Sequence, residues 1–259
     1  MTAELVLPGL WAEHLTGRKT DGQWRLRRLQ VVNWGGFDGH HILEIDAHST
    51  LLSGQSGTGK STLLDAYTAL MMDSNVPYNG ASNSSGSGRA RSGEQRNNLT
   101  YVRGLTDVGR DAESDTRKQN FLRGADAATW SAVAATFQHD DGDRHTALRL
   151  FYAPANADNS NQIGITFAQA AGDLDLRTLE TYAVDRFNHR RIKANLPAMV
   201  FDASYTQWAG RLFTRLSIGR KDDGSPAMKL LSRIQAGRTI NSVDALFKDM
   251  VLEAPRTYT

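Results

Sequence analysis

The sequence predicts an α/β fold organised around a phosphate-binding loop, and three observations carry that prediction. Residues 54–62 read Gly-Gln-Ser-Gly-Thr-Gly-Lys-Ser-Thr, a full match to G-x-x-x-x-G-K-[ST]. Strand-like residues precede it (Leu43-Glu44-Ile45 and Thr50-Leu51-Leu52), and residues 61–72 read as the helix that should follow. Further on, residues 129–137 and 146–152 flank Asp140-Asp-Gly-Asp143, the pattern of a β-hairpin.

The loop's residue types suit nucleotide phosphates. Its backbone N–H groups, at Gly54, Gln55, Ser56, Gly57, Thr58 and Gly59, form a nest around anionic oxygens. Gly54 and Gly59 permit backbone angles and close approaches that a Cβ would block. Lys60 reaches the β- and γ-phosphates, the Ser61 hydroxyl suits Mg²⁺, and Ser61 and Thr62 open a helix whose positive end faces the same charge. ATP and Mg²⁺ are therefore the expected cofactors; the plainer alternative is a Gly/Ser-rich turn.

The 259 residues are ordinary in composition, with 40% hydrophobic and 22% charged residues and a net charge of +2, so bulk charge names no partner. There is no cysteine, hence no disulfide framework and no thiolate metal site. No apolar run is long enough to span a membrane, and no signal peptide is expected; a cytoplasmic setting fits.

Residues 1–23 form a polar lead-in and residues 24–259 the main body. Residues 25–34 suggest a strand, Gly35-Gly36 a turn, and residues 41–46 its antiparallel partner. Residues 73–100 read as a flexible basic loop, too polar at their Gly/Ser core to offset ordering entropy. Arg89, Arg91, Arg96 and Arg103 follow that core, with acidic residues interleaved from Glu94 onward. From charge alone a solvated surface is the simpler account. Residues 129–193 form a β lobe whose last twenty residues are ambiguous between strand and short helix. Residues 204–255 look helical, with Ser204 as a cap and further helices expected at 227–234 and 242–250.

Hydrolysis needs more than a cradle: a carboxylate in the Mg²⁺ shell and a group that orients water. Met199-Val-Phe-Asp202 is the nearest match to an acidic strand, but Ala203 stands where ABC-type ATPases carry a catalytic Glu, and Pro197 leaves little room for a strand. Leu216-Ser-Ile-Gly-Arg220 is a poor match to their signature and lies on the wrong side of Asp202. Half of a catalytic site is legible, and no complete catalytic set.

That half-site has a known form. Gln30-Val-Val-Asn-Trp-Gly-Gly-Phe37, the strand pair, the loop and Leu63-Leu64-Asp65-Ala66 together resemble the N-terminal head segment of SMC-like ATPases. Within them the MukB-like branch, and its JetC subfamily from Wadjet anti-plasmid systems, is most similar; Val76-Pro-Tyr-Asn-Gly80, Tyr101-Val-Arg-Gly104 and Thr129-Trp-Ser131 extend the likeness. The resemblance implies a P-loop NTPase of ABC/SMC head type, a mixed sheet with an antiparallel lobe, and C-terminal helices leading toward a coiled-coil arm. It implies a bacterial, cytoplasmic ATPase that organises and translocates DNA, with hydrolysis completed by the C-terminal half of its own head and by a second copy in a homodimer. Kleisin, KITE and nuclease subunits, and plasmid DNA, are the implied partners. Gln235, in Ser232-Arg-Ile-Gln-Ala-Gly-Arg-Thr-Ile240, resembles the loop glutamine that contacts Mg²⁺ and water, with Gln138 second. The likeness also makes Arg89, Arg91, Arg96 and Arg103 candidate DNA contacts. Two rivals stand beside it: a self-contained P-loop NTPase or kinase using Asp202, and a nucleotide-gated interaction module.

Overall fold

The computed structural model describes residues 22–74, 78, 96–110, 117–124, 126–219, 227–228 and 231. Strand β1 (Arg25–Trp34) and β2 (Phe37–Glu44) form the expected hairpin, and helix α1 (Lys60–Met71) follows the loop. Helix α2 (Asn98–Arg103) and a small hairpin, β3 (Leu105–Arg110) with β4 (Arg117–Phe121), come next. Then β5 (Thr129–Gln138), β6 (Arg144–Ala153) and β7 (Gly164–Ala171) run as a meander. Helix α3 (His189–Asn195), β8 (Met199–Asp202) and α4 (Tyr205–Leu216) complete the described elements. The main sheet has six strands in the order β2-β1-β5-β6-β7-β8, and each neighbouring pair is antiparallel.

Strand periodicity sorts the core into two halves. Val31, Val133, Ala135 and Phe151 point to one face and pack with α1, α2 and α4. Val32, Ala132, Ala134 and Leu150 point to the other and pack with the 3₁₀ segment Leu176–Asp185 and α3. Because both faces are covered, β5 and β6 are buried along nearly their whole length. The sheet is a slab between two layers, and the loop-helix lies on the first.

Several expectations change. Residues 50–52 are not a strand: Leu51 is 89% exposed and no pairing includes these residues. The parallel strands of a mixed sheet are not among the described residues. Residues 174–193 resolve into a 3₁₀ segment and α3. Its buried residues Leu176, Leu179 and Tyr182 recur every three positions, the repeat at which 3₁₀ side chains eclipse. Residues 199–202 do form a strand despite Pro197, because β8 needs only four residues at the sheet's edge. Ser204 caps α4 as expected, accepting from the Gln207 N–H at 3.3 Å. Of residues 227–234, Ala227, Met228 and Leu231 are helical; residues 242–250, and any arm beyond, lie outside the described residues.

Buried polar groups pin the layers together. Gln30 on β1 donates to the Leu174 carbonyl at 2.7 Å and accepts from the Leu176 N–H at 3.2 Å, fixing the 3₁₀ segment. Arg149 on β6 is buried, donates to the Met72 carbonyl at 2.6 Å, and sits 4.8–5.1 Å from the rings of Phe167, Tyr205 and Trp208. Burial lowers its pKa to about 10. Together with the Tyr205 hydroxyl, which donates to the Met71 carbonyl at 2.9 Å, it closes the C-terminal end of α1.

His145 lies against Gln169 Oε1 at 2.9 Å, and Gln169 Nε2 donates to the Trp208 carbonyl at 2.8 Å. Burial pushes His145 below its ordinary pKa of 6.5, so the neutral ring donates from Nε2. His40 and His189 are lowered for the same reason. The unfolded chain takes up protons near pH 6.5 and the folded chain resists, so stability falls as pH drops below that value. Thermal unfolding between pH 7.5 and 5 should show this loss, and His145→Gln should flatten it.

Candidate nucleotide site

The loop between Gly54 and Gly59 is built on left-handed backbone. Gly57 and Gly59 have φ of +86° and +92°, and Gly54 lies at +157°. A Cβ at Gly59 would come within 2.7 Å of the Phe37 ring, so this glycine is required by contact as well as by angle. Phe37 opens β2, and the hairpin thus buttresses the loop from beneath. Gly35, in the same hairpin turn, plays the matching part against Thr62, whose Cγ2 would lie 2.7 Å from an added Cβ.

Helix α1 begins with no side-chain cap, since Gly59 has none to give and the first turn holds no acidic residue. Its leading N–H groups and partial positive charge therefore face outward toward the loop. Lys60 Nζ folds over the same mouth and donates to the carbonyls of Gly54 and Gln55, both at 2.6 Å. Thr58 Oγ1 braces the loop by donating to the Gln55 carbonyl at 2.9 Å. An ammonium, a helix start and three glycines converge on one exposed mouth, which fits phosphate oxygens. Ser61 stands at the helix entrance and offers one hydroxyl to a phosphate-bound Mg²⁺. Among the described residues no group of three or more His, Cys, Asp or Glu could hold a metal.

Behind the first turn, α1 is tied down by groups that the motif does not mention. The buried Trp34 donates from Nε1 to the Thr62 carbonyl at 3.2 Å and stacks on Tyr101, with ring centroids 4.7 Å apart and planes 3° from parallel. The Tyr101 hydroxyl donates to the buried Asp65, which also holds Arg96 at 3.0 Å. Burial and the neighbouring Asp65 push the Tyr101 hydroxyl pKa up, so it stays protonated as a donor. Arg96, Tyr101, Thr62 and the Gly35-Gly36 turn line a cavity of about 190 Å³ beside α1.

The sequence-derived candidates fare unequally. Residues 54–62 stand together as one loop and helix start. Gln235, Arg89 and Arg91 lie outside the described residues. Arg103 is fully buried, with its guanidinium on the carbonyls of Gly124, Ala127 and Pro154, so it is no DNA contact. Arg96 is half-buried and turned toward Asp65 beside the loop. Asp202 is also removed from any metal role: it is buried on edge strand β8, held by Arg211 at 3.1 Å and by Gln169 at 3.5 Å.

Residues 26–85 match the family described as the P-loop containing region of AAA domain. The span covers the β1–β2 hairpin, the loop and α1. It is a P-loop nucleotide-binding region. No curated protein matches the chain. No helix among the described residues is long and apolar enough to cross a membrane.

Sequence reasoning reached the P-loop but not its supports. Asp65, Trp34 and Phe37 stand in the sequence only within strings that resemble SMC-like heads, with no role attached to them. Gly59→Ala should lower both stability and nucleotide affinity, by about 1 kcal/mol or more in stability because strain and contact add. The cost of Gly59→Ala should be smaller in a Phe37→Ala background, since the contact goes and the backbone strain stays. Urea unfolding of the parent, Gly59→Ala, Phe37→Ala and the double variant checks it.

Proposed function

We propose that this chain is the ATP-binding half of an SMC-like head, one side of a nucleotide site that other segments complete. The observation that carries this reading is a formed phosphate cradle, with Lys60 at its mouth, whose candidate acid Asp202 is engaged instead by Arg211 on the edge strand β8. The exposed, unpaired Leu51 before the loop supports it, because the segment leading into a P-loop is normally a buried strand flanked by parallel neighbours. Strands supplied by a C-terminal half of the head would cover it.

The likeness of Gln30–Phe37, Asp65 and Tyr101–Gly104 to the MukB-like and JetC heads supports the finer assignment. On this reading ATP and Mg²⁺ bind at residues 54–62, two heads sandwich two nucleotides, and hydrolysis drives DNA movement in anti-plasmid defence. Kleisin, KITE and nuclease subunits belong to the same proposal, as does Gln235 as the ligand that reaches Mg²⁺ and water. The self-contained enzyme loses its acid, since Asp202 is engaged by Arg211.

Titration of a fluorescent ATP analogue into the chain tests the binding half. Lys60→Ala should weaken affinity about tenfold or more, the cost of removing a charge-assisted contact. Ser61→Ala should remove most of the Mg²⁺ dependence. Asp202→Asn should leave affinity within about twofold. Equal affinity in Lys60→Ala and the parent chain would contradict the assignment.

A further inference from the structure

Among the described residues, most exposed or half-buried arginines are matched by a carboxylate. Arg25, Arg28, Arg144, Arg177, Arg211 and Arg215 are each held by a carboxylate on a neighbouring strand, turn or helix. The exceptions among exposed, described arginine and lysine side chains cluster in residues 186–193, on the layer opposite α1. That segment carries Arg186, Arg190, Arg191 and Lys193 with no acidic residue. Asp185 just before it is already held by Arg191 at 2.9 Å. Arg186, Arg190 and Lys193 are exposed and meet no carboxylate.

Two of the three are held in place by rings rather than by charges. Arg186 sits over Tyr152 at 5.3 Å and Lys193 over Phe201 at 5.9 Å, with His189 stacked on Phe201 at 4.1 Å. Tyr152 lies on β6 and Phe201 on β8, with β7 between them, and both rings belong to the same face of the sheet. Their partners on β7 are Gly164 and Ala168, four positions apart. At ordinary strand spacing and rise the two ring platforms are on the order of 15 Å apart. Cations spread over that distance do not converge on one small anion. They fit a regular line of phosphates, which a duplex presents at about 3.4 Å per strand step.

We propose that the Arg186–Lys193 face is a contact surface for the phosphate backbone of duplex DNA. The inference rests on the DNA-handling reading above and places a contact on the layer opposite α1. Such contacts fix position without reading sequence, so binding is independent of base order and steeply salt-dependent. The unpaired cations cost the isolated fold nothing in burial, because all three stay in water until phosphates arrive.

The test is binding of a 30-base-pair duplex to the chain across a salt series, for the parent and for Arg186→Glu/Arg190→Glu/Lys193→Glu. Arg177→Glu, which alters a carboxylate-paired cation, is the control. The triple variant should lose about tenfold or more in affinity and reduce the salt slope by about 2–3, while keeping its thermal midpoint and its ATP affinity. A parent chain that does not bind the duplex at low salt would overturn the DNA reading and this surface with it. A parent that binds and a triple variant that binds equally well would overturn the surface alone. Loss of binding to poly-glutamate with DNA affinity unchanged would overturn it in favour of an acidic protein.

Discussion

The structure depends on one buried carboxylate. Asp65 lies on the inner side of α1, and a lone charge there would be costly in the apolar core. It is met by the Tyr101 hydroxyl and the Arg96 guanidinium. Through Tyr101 the contact extends to Trp34, and through the Trp34 indole back to Thr62 in the first turn of α1. The loop-helix is thereby fixed to the β1 end of the sheet and to α2 at once. Arg149 and Tyr205 hold its other end. A phosphate cradle is useful only if its N–H groups do not move when charge arrives, and these clamps supply that rigidity.

Electrostatic pairing follows a consistent rule around that centre. Cations that stay inside the fold bond to backbone carbonyls, as Arg103 and Arg149 do. Cations at its surface pair with carboxylates. Among the described residues, Lys60 at the nucleotide mouth and Arg186, Arg190 and Lys193 on the far layer meet no carboxylate.

How far the sequence revealed this varied by physical cause. The P-loop was legible because its chemistry demands glycines and a lysine at fixed spacing. Strands β1, β5 and β6 were legible because runs rich in β-branched and aromatic residues flank clear turn residues, Gly35-Gly36 and Asp140–Asp143. Residues 50–52 were misread as a strand because apolar content marks a strand only when neighbours exist to pair with it. The likeness to SMC-like heads suggested a DNA contact at Arg103, and only the fold shows three carbonyls gathered around it. The 3₁₀ segment fell between helix and strand because its repeat of three lies between their periods of 3.6 and two. Asp65, Phe37 and Trp34 support the site through contacts distant in sequence, which no local pattern records.

The account's central claim is that this P-loop is one side of a shared site. Single-turnover hydrolysis, with the chain in excess over radiolabelled MgATP, tests it most directly. The nucleotide should bind and remain intact, with phosphate released no faster than in buffer. Release at about 1 s⁻¹, an ordinary enzymatic rate, would show that these residues carry a complete catalytic site and would contradict the claim.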